Sequence, residues 1–76
     1  LIPLSDLSPD SQAVFMSCRL VNLYPKLADM GLIEGSIWKV IQKMPFHGPL
    51  VLSNGSSRIS IREEDARSIL MQPMEL

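Results

Sequence analysis

The side chains of this 76-residue chain that could carry chemistry are few: His47, Cys18 and the run Glu63-Glu64-Asp65. His47 sits in Pro45-Phe46-His47-Gly48-Pro49, whose prolines and glycine no strand ladder can continue through, so it belongs to a loop. A structural zinc site takes four ligands and a catalytic one about three from the protein. The single His and single Cys of this chain reach neither set, so His47 reads as a loop residue. The alternative is a transition-metal site shared between two chains. Cys18 has Arg19 as its only neighbouring cation and no histidine at a spacing that suits a thiol nucleophile, so it reads as a partly buried strand-end thiol. Three adjacent carboxylates can meet a hard cation, but a charge run is ordinarily a solvated face. Gly48 and Gly55 lack the pattern and the lysine of a phosphate-cradling loop. The expectation is a non-enzyme with no catalytic residue, no cofactor and no metal site of its own.

Composition points the same way. With 46% hydrophobic residues and a formal charge of −1, the chain is expected to form one domain over residues 1–76, near the lower size limit for folding without staples. Such a domain has little room for a large catalytic cleft. The lone cysteine excludes an internal disulfide and suits a reducing compartment, while leaving a bond between chains open. No stretch approaches the roughly 18 apolar residues of a membrane span, and the amino end lacks a basic segment followed by an apolar one. The expected location is the cytoplasm, without insertion into the membrane. Nucleic acid is not the expected partner, because that polymer is met by a concentrated basic surface and these seven Lys and Arg residues are scattered.

The elements follow from turn chemistry and periodicity. Pro9-Asp10 predicts a turn before a strand over Gln12–Cys18, whose two faces are both apolar. A helix of roughly two turns is expected around Pro25, begun either by Asn22 as a cap or by Pro25 at its first position. Leu23, Leu27 and Met30 keep helical spacing up to Gly31, the natural left-handed residue beyond a helix end. The cap then brings Leu32 back onto Leu27. Ile33-Glu34-Gly35-Ser36 predicts a type II turn with Gly35 at the position that needs positive φ.

A long strand over Ser36–Met44 follows, with Trp38, Val40, Gln42 and Met44 on one face and Ile37, Lys39, Ile41 and Lys43 on a wetter one. Asn54-Gly55 predicts a two-residue hairpin turn pairing Leu50 with Ile59 and Leu52 with Ser57. Arg62–Ala66 reads as one helical turn, and Ser68–Met71 as a closing strand ended by Pro73. Five short strands that close on themselves remove exposed edges, so a mainly β, small, partly open barrel with one short helix after the first strand is expected. An open α+β sheet is the other arrangement.

What remains for function is surface. Leu27, Met30, Leu32 and Ile33 cluster at the helix cap, more apolar side chains than so small a barrel is expected to bury. The cap itself accounts for Leu27 and Leu32, leaving Met30 and Ile33 as the stronger partner contacts. Lys26 and Arg62 flank them and are placed to steer an acidic partner.

These residues carry a resemblance. Leu27-Ala-Asp-Met30-Gly31-Leu32-Ile-Glu-Gly35, then Pro45, Gly48-Pro49, Ile61-Arg62, Ala66 and Ile69, together with the Ile2-Pro3-Leu4-Ser5 opening, resemble the FeoA family from about Ile2 to Met71. The resemblance implies a small cytosolic SH3-like barrel that docks on the ferrous iron transporter FeoB. The alternative that it implies is the domain that closes some iron-dependent repressors. A third reading is a general peptide-binding barrel, disfavoured because one Trp, one Tyr and two Phe are too few to line a polyproline groove. The chain departs from the family at Glu34, where proline is usual, at Asp10, where glycine is usual, and before Pro49, where an acidic residue is common. A homo-oligomer is compatible with everything above.

Overall fold

A computed structural model describes residues 1–74, so the last two residues of the expected domain, 75 and 76, lie outside the described residues. Six strands form one antiparallel sheet: β1 (Ile2–Pro3), β2 (Gln12–Cys18), β3 (Ile37–Lys43), β4 (Leu50–Ser53), β5 (Arg58–Ile61) and β6 (Ile69–Pro73). Two short helices, α1 (Tyr24–Asp29) and α2 (Glu63–Ala66), and two single 3-10 turns, Leu4–Asp6 and Val21–Leu23, complete the order. The strands lie as β1-β6-β2-β3-β4-β5. Strand β1 and strand β5 are therefore the two edges. The turn Leu4–Asp6 packs against α2 across the gap between them, which covers what an open sheet would expose.

The core is one cluster centred on Phe15, Trp38, Leu27, Leu32, Leu52 and Met71, each almost wholly removed from water. Its architecture depends on two places where the strand period slips. In β2 the pairing with β6 shifts between Phe15 and Ser17, so Met16 is an extra residue that points outward. That slip puts Ala13, Phe15 and Cys18 on one buried face, resolving the ambiguity of two apolar parities. In β3 the pairing with β4 shifts between Val40 and Gln42. Trp38 and Val40 are buried as expected, but Gln42 and Met44 are exposed, because the extra residue at Ile41 reverses the alternation beyond it. Lys43 stands opposite buried Leu50 yet is itself exposed, as expected of a lysine on a wetter face. Its ammonium reaches the rim and donates to the Ser5 carbonyl at 2.8 Å.

Three further expectations are corrected. The β4–β5 connection is not a two-residue turn: Leu50 faces Ile61, Leu52 faces Ile59 and Ser53 faces Arg58. The Asn54 side-chain oxygen accepts from the N–H groups of Ser56 and Ser57 at 2.9 and 2.8 Å, an Asx arrangement that widens the loop to Asn54–Ser57. The register moves by two residues, which preserves the faces and gives Leu52 an apolar partner in place of Ser57. The strand count is six rather than five because the two-residue β1 pairs with β6, Ile2 opposite Met71. Strand β6 spans Ile69–Pro73 rather than Ser68–Met71, and Pro73 is its last residue, as expected.

Candidate functional site

The helix cap and its turn form as the glycine positions require. In α1, Leu23 rather than Asn22 holds the cap position and Tyr24 the first, so Pro25 sits second instead of first, still within the turn where a missing N–H leaves no bond unmade. Gly31, at φ 91°, donates to the Ala28 carbonyl at 2.9 Å, and Leu32 donates to the Leu27 carbonyl at 2.9 Å. These are the paired bonds of a Schellman cap, and Leu27 and Leu32 supply its apolar contact, each 1% exposed. Ser36 then donates to the Ile33 carbonyl at 3.0 Å, with Gly35 at φ 86°, closing the type II turn. Gly35 N–H binds the Phe15 carbonyl at 2.8 Å and Phe15 N–H binds the Ser36 carbonyl at 2.9 Å, so the corner is laced to β2. Tyr24 pins the other side: its hydroxyl accepts from Cys18 N–H at 2.8 Å, and its ring lies 6.2 Å from that of Phe15.

This geometry sorts the apolar cluster at the cap. Leu27 and Leu32 are core, so no surface of theirs is left for a partner. Met30 is half-buried and packs against the core from its edge. Ile33 is 56% exposed at the first position of the turn. Lys26 and Arg62, distant in sequence, meet over one carboxylate: Asp65 Oδ2 lies 3.9 Å from Lys26 Nζ and 3.3 Å from Arg62 Nε. Arg62 also reaches Glu64 at 3.2 Å. Both cations therefore face carboxylates of α2 while staying more than half exposed.

The residues weighed for metal chemistry are partly brought together. Glu63 Oε1 accepts from Arg67 Nε at 2.9 Å and lies 4.0 Å from His47 Nδ1. His47, Pro49, Arg62, Glu63 and Glu64 line a shallow cleft of about 310 Å³. Each carboxylate of α2 already faces a cation, and among the described residues no three His, Cys, Asp or Glu side chains converge. Cys18 lies buried at the end of β2, away from this cleft. Among the described residues no helix is long and apolar enough to cross a membrane.

Two features escaped the sequence reading. Asp65 was one of three carboxylates in a run, and only the fold makes it the joint between α1 and α2. Phe46 stands 97% exposed at the tip between β3 and β4, where φ is 58° at Phe46 and 59° at His47. An aromatic inside a Gly/Pro loop was the available signal, since such a residue has no element to bury it.

A family model described as the FeoA domain matches residues 2–73 of the chain. Among solved structures, the crystal structure of an iron uptake regulatory protein, FeoA, is 27% identical with a TM-score of 0.84, covering 96% of each chain. The zinc-complexed FeoA of Stenotrophomonas maltophilia, a prokaryotic SH3 domain protein, is 22% identical with a TM-score of 0.77, over 95% of this chain and 91% of that one. A manganese-dependent transcriptional repressor is 14% identical with a TM-score of 0.83, over 95% of this chain and 41% of that one, a likeness of fold alone. No curated protein matches. The six-stranded sheet is thus a mainly β, SH3-like barrel.

Proposed function

The chain belongs to the FeoA domain family, and from that premise we propose that it is a non-enzymatic accessory protein of ferrous iron uptake that docks in the cytoplasm on the cytosolic domain of a FeoB-type transporter. The observation that carries this reading is the corner from Leu27 to Ser36. Its cap and turn bury Leu27 and Leu32 and leave Ile33 outward, with half-buried Met30 one turn back, on an element laced to β2. A small apolar contact on a rigid support suits docking, because little order is lost on binding. In this reading Lys26 and Arg62, both more than half exposed, meet acidic groups on that partner. Any effect on nucleotide hydrolysis by the transporter acts through a conformational equilibrium of the transporter itself, since the described residues form no arginine finger or phosphate cradle.

The test is calorimetry or pull-down with the soluble domain of a FeoB-type transporter, comparing wild type with Ile33→Asp and Met30→Asp. Ile33→Asp should weaken binding about 10-fold or more with an unchanged circular dichroism spectrum. Full binding by a folded Ile33→Asp protein would remove the corner from the interface.

A second reading has an observation of its own in the likeness to the manganese-dependent repressor. In it, the domain contacts a helix-turn-helix neighbour rather than DNA. A reading frame continuing upstream of Leu1 into a DNA-reading helix would favour this reading, and a transporter encoded next door favours the first.

A further inference from the structure

At the tip between β3 and β4 the chain keeps backbone strain and an exposed aromatic at the same place. Pro45, Phe46, His47 and Gly48 make a turn closed by Gly48 N–H on the Pro45 carbonyl at 3.1 Å, and Met44 N–H on the Pro49 carbonyl at 3.0 Å ties its base. Both central residues are left-handed, at φ 58° and 59°. Type I′ turns ask for this, and glycine, asparagine or aspartate ordinarily supply it. Phenylalanine has no short polar side chain to steady such a backbone. The residue is 97% exposed, so burial within this molecule does not offset the strain either.

The tip is nevertheless held firmly. A Cβ on Gly48 would lie 2.8 Å from the Met44 Cβ and 3.0 Å from the Pro45 carbonyl oxygen, so the chain is folded tightly back on itself there. Prolines at 45 and 49 restrict φ on both sides, and His47 leans toward Glu63 of α2. Strain that the surroundings enforce, at a residue that contributes nothing to the core, points to a role outside the molecule.

We propose that Phe46 is an anchor that seats in a preformed apolar socket on a protein partner, with Arg62, His47, Glu63 and Glu64 forming the polar rim. Small apolar centres with polar rims are the usual anatomy of such contacts. A lipid surface fits less well. A bilayer accepts an aromatic from any loop geometry, so a fixed direction gains nothing there, and the carboxylates of Glu63 and Glu64 beside the tip oppose approach to anionic lipid. A socket of fixed shape is what rewards a rigid projection.

The partner is the transporter domain proposed above, and the inference rests on that reading. Calorimetry against that soluble domain, with wild type, Phe46→Ala and Phe46→Gly, is combined with thermal unfolding of each variant. Both substitutions should weaken binding about 10-fold or more. Phe46→Gly should also melt about 3–6 °C higher, because glycine enters the left-handed region freely. Binding and stability moving in opposite directions is the signature of an anchor. If wild type and Ile33→Asp differ while Phe46→Gly binds like wild type, the anchor is overturned and the proposed function stands. If wild type itself does not bind, both fall. Sedimentation with vesicles of equimolar phosphatidylcholine and phosphatidylglycerol that disappears in Phe46→Ala would overturn the protein socket in favour of lipid.

Discussion

The corner after α1 and the tip between β3 and β4 use the same left-handed backbone and resolve it in opposite ways. At the corner, Gly31 and Gly35 take φ of 91° and 86° at no steric cost, and the leucines beside them are buried. At the tip, Phe46 and His47 take similar angles with side chains that resist them, and the aromatic lies in water. Local preference and packing agree in the first place and conflict in the second. Agreement marks a part of the chain selected to fold, and conflict marks a part kept for something else.

The strongest way to break this comparison is at the corner. Leu32→Ala removes a side chain that is 1% exposed and also the apolar contact of the cap, so it should cost about 2–5 kcal/mol in denaturant unfolding. A loss below 1 kcal/mol, on the ordinary scale of surface changes of about 0.5 kcal/mol, would mean that the cap does not organise the core. Gly31→Ala comes next. The new Cβ would meet Trp38 ring carbons only at 3.9 and 4.0 Å, an ordinary contact, so the backbone alone decides. The expected loss is about 1–2 kcal/mol, with Gly31→Asn costing less because asparagine tolerates the left-handed region.

The mirror experiment sharpens the other half. His47→Gly should stabilise, since relief of about 1–2 kcal/mol of left-handed strain outweighs about 0.5–1 kcal/mol of added chain entropy. Asp10→Gly should gain less, a few tenths, because aspartate is among the residues that visit that region most easily. Asp10 holds φ 71° in a turn whose N–H binds the Val40 carbonyl at 2.7 Å, so the turn expected from Pro9-Asp10 keeps its form without the usual glycine. If either change destabilises, the strain account of these turns is wrong.

Much of this was legible in sequence for a simple reason: glycine next to an apolar period states a helix end, and both the Gly31 cap and the Gly35 turn formed as read. The slips at Met16 and Ile41 were not legible. A bulge inserts one residue without a change in composition, so Gln42 and Met44 continued an alternation that the sheet had already broken. Asn54-Gly55 misled in a similar way, because the Asn54 side chain satisfied two serine N–H groups and widened the loop, which depends on the serines as much as on the dipeptide. Strand β1 has two residues, too few for any period. At the site, the cap already set Leu27 and Leu32 apart from Met30 and Ile33 in sequence, whereas the meeting of Lys26 with Arg62 needed the fold that brings α1 to α2.

Asp65 gives a small and the most discriminating effect. Its carboxylate is 14% exposed, but both cations on it are more than half exposed, so water and salt screen the pairs. Asp65→Asn should therefore cost less than about 1 kcal/mol, including what the first turn of α2 loses in favourable charge, and the difference should shrink in 1 M salt. Binding should move the other way. With Asp65 and Glu64 beside them, Lys26 and Arg62 form a nearly neutral group, and removing the Asp65 charge leaves that group positive. If these cations steer an acidic partner, Asp65→Asn should raise the association rate at low salt and leave dissociation nearly unchanged. An association rate that falls, or a dissociation rate that rises several-fold, would mean that the Asp65 joint itself belongs to the interface. The rigid corner would then extend across to α2, and steering would no longer describe the role of the two cations.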